Sequence, residues 1–200
     1  MANSTDLDQF YTKSDVAKHW VSVVDSLYGF DNFDKILEPS AGAGSIYNLL
    51  PENRIGIDID PKVPDVIQED FLKWYPYMYN PLSGDRPNFL TIGNPPFGKR
   101  SKLALQFFYH ASLFSDVICF IVPRNWMLYE IQKQLPPDFG LYHQTVLHDN
   151  SFTLDGEDYP VRCVAQCWSR FDPMPSSDQC SIVNKNDMIS VSDTRYMARQ

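Results

Sequence analysis

Apolar residues recur along the chain with two spacings, one helical and one extended. Between residues 13 and 28, and again between about 101 and 114, they fall on one helical face, so both stretches predict amphipathic helices. Shorter helices are predicted from Ser45 through Leu50 and near 125–134. Short apolar runs bounded by turn-forming residues predict strands instead. These runs lie near residues 35–38, 54–58, 65–68, 88–93, 116–122, 141–146 and 161–168.

The order of these elements predicts an α/β fold. Helices alternate with strands, which implies a mostly parallel sheet with helices on both faces. Ligands bind such sheets at the carboxyl ends of the strands. The residues that directly follow each predicted strand are therefore the first candidates for a functional site.

The run Asn94-Pro95-Pro96-Phe97 follows the predicted strand at 88–93. The Asn94 side-chain oxygen and the Pro95 carbonyl can both accept hydrogen bonds from one planar exocyclic amino group. Proline fixes φ and restricts the residue before it, so these acceptors are held in place before substrate arrives. Phe97 offers a flat ring on which a base can stack. The alternative is a turn that only ends the strand, because Asn and Pro are common turn formers.

A loop with two glycines, Gly42 and Gly44, follows the predicted strand at 35–38. Glycine lets a ligand approach the backbone closely, although tight turns also use it for geometry alone. The spacing is neither the full dinucleotide fingerprint nor a Walker loop. Glu38, at the strand end, would repel a pyrophosphate but could accept hydrogen bonds from an ammonium group. The loop therefore favours a cationic ligand.

Further acidic residues follow the next strands. Asp58 and Asp60 lie near the end of the strand at 54–58, where α/β nucleotide-binding domains hold ribose hydroxyls. We assign Asp58 to the ribose and Asp60, which precedes a proline, to the turn. Asp70 lies beside Phe71, so its carboxylate could bond an adenine amino group while the ring packs against the base.

Together these motifs resemble those of the S-adenosylmethionine-dependent amino-methyltransferases, specifically the N6-adenine group. The resemblance covers roughly residues 8–170 and extends to Asp8-Gln9-Phe10-Tyr11-Thr12, ahead of the first helix. In this family an aromatic-Thr segment at that place folds over the methionine end of the cofactor. It implies a Rossmann-like class I methyltransferase with a seven-stranded, mostly parallel sheet. The last strand should be antiparallel and inserted between its neighbours.

The predicted cofactor is S-adenosylmethionine, and no metal is required. The predicted catalytic turn is Asn94, Pro95, Pro96 and Phe97. The residues expected to bind the cofactor are Tyr11, Thr12, Glu38, Pro39, Ser40, Gly42, Gly44, Asp58, Ile59, Asp70, Phe71 and Asn94.

Two further features concern the nucleic-acid substrate. Lys99, Arg100 and Lys102 directly follow the catalytic turn and could meet the phosphates beside a flipped adenine, or they could be a solvated helix start. Phe152 lies in a polar loop at 147–159, where it could form a second wall of the base pocket opposite Phe97. Alternatively, Phe152 anchors that loop on the sheet. The predicted substrate-binding residues are therefore Phe97, Lys99, Arg100, Lys102 and Phe152.

Composition fits one domain over residues 1–170 followed by a polar tail at 171–200. The 200 residues are 44% hydrophobic and 14% aromatic, which is ample for a core, and no apolar run reaches the length of a membrane span. The amino terminus lacks the features of a secretory signal. The four cysteines lack C-x-x-C spacing, which indicates reduced thiols of an intracellular protein rather than a metal site.

The net charge of −8 is unusual for an enzyme of nucleic acids, which commonly carries a basic footprint. Either the binding surface is a local patch, or a partner subunit recognises the target. The first hypothesis is a DNA adenine-N6 methyltransferase, and the second is an RNA adenine-N6 methyltransferase. A protein glutamine methyltransferase and an inactive binding subunit are less favoured, because Phe97 and the intact motifs argue against them.

Overall fold

The computed structural model describes residues 10–77, 87–154 and 156–171 and contains ten strands and three α-helices in those ranges. The helices are α1 Ser14–Tyr28, α2 Lys102–Ser112 and α3 Tyr129–Gln132. The strands are β1 Tyr11–Thr12, β2 Lys35–Glu38, β3 Arg54–Asp58, β4 Ile67–Gln68, β5 Phe89–Gly93, β6 Val117–Pro123, β7 Phe139–Val146, β8 Phe152–Leu154, β9 Glu157–Tyr159 and β10 Cys163–Arg170.

Seven of the strands form the main sheet, in the order β4-β3-β2-β5-β6-β10-β7. The pairs from β4 to β6 are parallel, whereas β10 runs antiparallel to both β6 and β7. The predicted seven-stranded, mostly parallel sheet is therefore confirmed, including the last strand inserted between its neighbours.

The two faces of the sheet are covered by different helices. Side chains alternate across β6: Cys119 and Ile121 join the hydrophobic cluster that includes α1, whereas Ile118 and Phe120 join the cluster that includes α2. This alternation follows from the period of two along a strand. Because β6 is buried on both faces, its sequence is a continuous apolar run, and this run is what predicted the strand.

A second, three-stranded sheet forms in the order β1-β8-β9. Tyr11 pairs with Thr153 and Thr12 pairs with Phe152, both antiparallel. β8 and β9 form a hairpin, within the stretch that was expected to be a polar loop. Lys13 fixes the end of β1, because its backbone N–H donates to Ser151 O at 3.1 Å. This small sheet brings the start of the described chain to the edge of the main sheet where β2 and β5 end.

Three predicted elements need correction. The stretch from Ser45 through Leu50 is not an α-helix but a series of turns with a 3-10 segment at Tyr47–Leu49. The predicted helix near 125–134 divides into a 3-10 turn, Arg124–Met127, and the short α3. Strand β4 is two residues long, shorter than expected. The predicted tail from residue 172 onward lies outside the described residues.

Three of the four cysteines lie within the described ranges. Cys119, Cys163 and Cys167 are free and buried, and Cys180 lies outside the described residues. Burial raises the pKa of the Cys163 thiol to about 12, so it stays protonated. Within the described ranges, no helix is both long and apolar enough to cross a membrane.

Candidate active site at the switch point of the sheet

The candidate site lies where the chain leaves the sheet in opposite directions after two neighbouring strands. After β2 the chain goes on to β3 and β4, whereas after β5 it goes on to β6 on the other side. Such a switch point is where open α/β sheets bind ligands. The loops that follow β2 and β5 touch, since the Ser40 hydroxyl donates to the Asn94 backbone oxygen at 3.1 Å. Gly93 permits this approach, because a Cβ there would lie only 3.3 Å from Pro39 Cδ.

Two buried hydrogen-bond acceptors lie at this switch point without partners. In the described part of the chain, five buried side-chain polar atoms have no hydrogen-bond partner, and two of them are acceptors: Glu38 Oε2 and Asn94 Oδ1. The others are donors, on Trp20, Arg54 and Trp126. Buried polar groups are normally paired, so each exception calls for a reason. A pair of unsatisfied acceptors fits ligands that bring N–H donors.

Glu38 is the more deeply buried of the two, with 3% of its surface exposed. Burial, and then the nearby charge of Asp58, raise the pKa of the Glu38 carboxyl well above its ordinary value, while a backbone hydrogen bond from Tyr47 acts in the opposite direction. A cation placed beside Glu38 would offset this burial cost. The geometry therefore supports the predicted role of Glu38 as a partner for an ammonium group.

Asn94 is held by the segment around β1. Its Nδ2 group donates to Phe10 O at 3.0 Å and to Thr12 Oγ1 at 3.2 Å. The structure thus brings Thr12, predicted to lie near the cofactor, against the asparagine that is predicted to be catalytic. Phe10 was not among the predicted site residues, although it directly precedes Tyr11 in the motif that carried the resemblance.

The glycine loop and the end of β3 are bonded together. Gly42, at φ 50°, donates its N–H to Asp58 Oδ2 at 2.7 Å. The other carboxylate oxygen, Asp58 Oδ1, accepts the N–H of Asp60 at 2.8 Å, so Asp58 also organises the turn that was assigned to Asp60. Tyr11 lies over the loop, with Cε1 only 3.4 Å from where a Cβ on Gly42 would stand. Ile59 is 61% exposed beside these groups and presents an apolar surface at the strand end.

Phe97 packs against Phe10, which in turn stacks on Tyr159. The Phe97 ring centroid is 6.0 Å from that of Phe10, at an interplanar angle of 35°, and the centroids of Phe10 and Tyr159 are 5.0 Å apart. Only 7% of Phe97 is exposed. The flat face that was predicted to receive a base is therefore covered by Phe10 in this conformation. Tyr159 belongs to the hairpin that the sequence did not reveal, and an isolated aromatic residue in a polar loop was its only signal.

Three other predicted site residues have structural contacts in place of an open binding surface. Asp70 Oδ1 accepts the N–H of Leu72 at 3.1 Å, as expected of a turn-forming aspartate. Phe71 is 2% exposed and packs among side chains of α2, so its ring has no open face. Phe152 is fully buried in the same hydrophobic cluster as Phe97, which corresponds to the alternative that it anchors the loop. The base-contacting roles of these residues remain predictions.

The predicted cations follow the catalytic turn on a strained loop. Lys99, Arg100 and Lys102 are all exposed. Arg100 has φ 56° and Ser101 has φ 62°, values that non-glycine residues rarely adopt. Ser101 is buried and donates to Asn125 Oδ1 at 3.1 Å, which holds the loop against the end of β6. Backbone strain that persists in this way is found most often at functional sites.

Two arginines continue this positive surface beyond the loop. Arg124 directly follows β6, and its N–H donates to Arg162 O at 2.9 Å. Both arginines are exposed. We call Lys99, Arg100, Lys102, Arg124 and Arg162 the basic rim. Its members lie around the carboxyl ends of β5 and β6, on the connecting segments and at the first residue of α2, beside the predicted catalytic turn.

Another part of the molecule also has a concave surface. A groove of about 510 Å³ is lined by the first residues of β2 and β5, Lys35 and Phe89, together with residues such as Trp74 and Tyr75. It lies at the opposite ends of these strands from Glu38 and Asn94. Within those ranges no cluster of three or more His, Cys, Asp or Glu side chains is arranged to hold a metal ion. The switch point therefore remains the stronger candidate.

The fold is that of class I S-adenosylmethionine-dependent methyltransferases. The sequence itself matches no protein-family model, and a search of curated proteins finds no match. Among solved structures, a Pyrococcus horikoshii protein provisionally described as an RNA methyltransferase is similar with a TM-score of 0.60 and 18% identity, covering 84% of this chain and 90% of that one.

Two further solved structures share the fold. The 23S rRNA methyltransferase ErmE has a TM-score of 0.54 at 13% identity, covering 84% of this chain and 73% of its own. Magnesium protoporphyrin IX methyltransferase from Synechocystis, crystallised with bound S-adenosylmethionine, has a TM-score of 0.53 at 12% identity, covering 79% of each chain. Identities this low establish the architecture, and function has to be argued from the site.

Proposed function

We propose that this protein transfers a methyl group from S-adenosylmethionine to the exocyclic N6 amino group of adenine in a nucleic acid. The observation that carries the proposal is the pair of unpartnered, buried acceptors at the switch point, Glu38 Oε2 and Asn94 Oδ1. One acceptor fits the ammonium group of the methionine part of the cofactor. The other fits the amino group that would receive the methyl.

The residues around Glu38 fit S-adenosylmethionine. Glu38 would accept hydrogen bonds from the ammonium group, and the backbone of the loop with Gly42 and Gly44 would lie beside the methionine part. Each Asp58 carboxylate oxygen accepts one backbone N–H in this structure. A carboxylate oxygen can accept more than one hydrogen bond, so Asp58 can also accept hydrogen bonds from ribose hydroxyls. Exposed Ile59 offers an apolar surface for the adenine of the cofactor. When bound, the cofactor supplies an electrophilic methyl group.

Asn94 and Pro95 would hold the adenine amino group that receives the methyl. The Asn94 Oδ1 atom and the Pro95 carbonyl each accept one hydrogen of the adenine amino group. With both hydrogens bonded, the nitrogen can become pyramidal, and its lone pair leaves conjugation with the ring and points towards the methyl group. This is catalysis by positioning and by preorganised dipoles, and no side chain has to remove a proton first.

A base can reach Asn94 Oδ1 only if nearby side chains move. Asn94 Oδ1 is shielded from solvent, and Phe10 covers the face of Phe97 on which a base would stack. A base that leaves its helix to enter the site would therefore displace Phe10 from Phe97.

The nucleic-acid substrate is proposed as DNA first and RNA second. The catalytic turn is compatible with either, and two structural neighbours that are described as an RNA and an rRNA methyltransferase favour the second candidate. The basic rim could bind the phosphates on either side of the target base, which would reconcile nucleic-acid binding with the net charge of −8. A partner subunit that recognises the target is also compatible with this charge.

The proposal is tested by methyl transfer from radiolabelled S-adenosylmethionine. The substrates are single-stranded DNA, duplex DNA and RNA of one sequence, followed by digestion and identification of the labelled nucleoside. The matched control replaces every adenine with hypoxanthine, which lacks the amino group. We expect label only in N6-methyladenine and none in the control. Label in another nucleoside, or in protein alone, would contradict the proposed acceptor.

A further inference from the structure

The side-chain amide of Asn94 has both of its hydrogens engaged by the β1 segment. Nδ2 donates one hydrogen to Phe10 O at 3.0 Å and one to Thr12 Oγ1 at 3.2 Å. An asparagine amide has two hydrogens to donate, so its donor side is fully used. Oδ1, the acceptor side, has no hydrogen-bond partner in the described part of the chain.

This arrangement fixes which end of the amide faces the site. A rotation of the amide by 180° would place Oδ1 against the Phe10 carbonyl, which has no hydrogen to give. It would also turn the two Nδ2 hydrogens towards the site, where they would repel the hydrogens of an incoming amino group. The partners on β1 therefore determine that Asn94 presents an acceptor.

We propose that Thr12 is a positioning residue for the methyl-transfer step, whose hydroxyl holds the Asn94 amide with Oδ1 towards the acceptor amino group. This inference rests on the proposed function and adds to it a second role for the β1 segment, distinct from contact with the cofactor. Thr12 is suited to it because only 6% of its surface is exposed, so water does not compete well for the amide hydrogen.

The surrounding contacts make this role depend on how β1 docks. Thr12 pairs with Phe152 of β8, and Lys13 N donates to Ser151 O at 3.1 Å. The Lys13 ammonium also lies 2.7 Å from Asp158 Oδ1 on β9. The hairpin thus holds β1, and β1 holds Asn94. The three-stranded sheet is therefore a support for the catalytic turn as well as a cover over it.

The test compares Thr12→Val, which keeps the shape but removes the hydroxyl, with Thr12→Ser, which keeps the hydroxyl. We expect Thr12→Val to lower the single-turnover rate of methyl transfer by about threefold to tenfold, the scale of one neutral hydrogen bond. Thr12→Ser should retain most of the wild-type rate. Rates are compared at saturating S-adenosylmethionine, so that a change in cofactor contact at Thr12 does not enter the comparison.

A double-mutant cycle with Asn94→Ala separates positioning from a general structural role. If Thr12 acts through Asn94, Thr12→Val should cause no further loss of rate once Asn94 is alanine. An equal loss in both backgrounds would overturn the proposal, as would a wild-type rate for Thr12→Val.

A second readout does not depend on activity. In the free protein, exchange of the Asn94 side-chain amide hydrogens, followed by NMR, should be slow in wild type and in Thr12→Ser and faster in Thr12→Val. Absence of methyl transfer by wild type on every substrate would refute the proposed function, whereas unchanged exchange in Thr12→Val would refute the positioning role.

Discussion

The backbone N–H of Gly42 donates to Asp58 Oδ2 at 2.7 Å, so the loop that follows β2 is bonded to the last residue of β3. The partner of this bond is the carboxylate that we assign to the ribose. The loop that we propose to face the methionine part of the cofactor and the residue that we propose to face the ribose are therefore bonded to each other before any ligand binds. A substitution at Asp58 should disturb both.

We predict that Asp58→Ala weakens binding of S-adenosylhomocysteine by about tenfold to a hundredfold, the scale expected for removing hydrogen bonds to a charged group. Asp60→Ala is the matched control, because Asp60 is exposed and its Oδ2 atom lies 2.5 Å from Lys62 Nζ. It should change affinity little. Calorimetry gives both affinities, and thermal melting of the ligand-free variants separates disorder of the loop from removal of the ribose hydrogen bonds. Equal losses of affinity in the two variants would contradict the assignment.

Glu38 should make the stability of the ligand-free protein depend on pH. Burial first, and then Asp58, raise the pKa of its carboxyl above the ordinary value of 4.5. The stability associated with such a group is fully present below its unfolded-state pKa and is lost as pH rises through its folded-state pKa. Glu38→Gln cannot ionise. The melting temperature of Glu38→Gln minus that of wild type should therefore increase as pH rises above 4.5. A difference that stays constant with pH would contradict this prediction.

Cofactor binding should reverse the preference of Glu38 for its neutral form. An ammonium group beside the carboxyl favours its ionised state. At pH values where Glu38 of the ligand-free protein is protonated, cofactor binding should therefore release that proton. Calorimetry in buffers of different ionisation enthalpy measures this release. Glu38→Gln should abolish it and weaken binding by about tenfold or more. Proton release that persists in Glu38→Gln would assign the titration to another group.

The central strands and helices could be predicted because their signals are local. β2 and β3 were predicted at their observed bounds, since each is a buried apolar run that ends at turn-forming residues. The prediction for the stretch from Ser45 through Leu50 was wrong because local propensity there is overridden by packing. The Tyr47 ring lies against Gly56, with Cε2 only 2.6 Å from where a Cβ would stand, and Pro51 ends the segment within a few residues.

The resemblance implied that the Tyr11-Thr12 segment folds over the site, but the strand pairing that holds it there could not be predicted, because that pairing is between distant parts of the chain. β1 has two residues and β8 has three, too few for an alternating pattern to be visible. Their pairing brings Phe10 against Phe97 and Tyr159 against Phe10. The acceptor groups, by contrast, follow central strands directly, so the carboxyl-end rule located Glu38, Asp58 and Asn94 from sequence alone.

The basic rim predicts a specific salt dependence. The double variant Lys99→Ala, Lys102→Ala should lower the slope of log affinity against log salt by roughly one unit for each phosphate that it no longer binds. The matched control replaces Lys18 and Lys133, exposed lysines of the same charge elsewhere on the surface. It should leave the slope unchanged. Identical slopes in the two double variants would show that Lys99 and Lys102 bind no phosphate and are only a solvated helix start.

Arg100 needs a different substitution, because its φ of 56° is strained for most residues. Asparagine tolerates this region of backbone conformation better than alanine, so Arg100→Asn removes the charge with little added strain. We expect a further fall in the salt slope of about one unit, with the melting temperature close to that of wild type. A large fall in melting temperature would show that the arginine side chain stabilises the loop.

The catalytic turn predicts different kinetic effects for its first and last residues. Asn94→Ala removes an acceptor that matters most as the nitrogen becomes pyramidal, so it should chiefly lower kcat, by roughly 2–4 kcal/mol of transition-state stabilisation. Phe97→Leu keeps apolar volume under Phe10 but removes the flat ring. It should raise KM, because base stacking is worth about 1–3 kcal/mol and is already present in the ground state. Phe97→Tyr should retain activity. If Asn94→Ala transfers methyl groups at the wild-type rate in single-turnover measurements, the turn serves only to end β5.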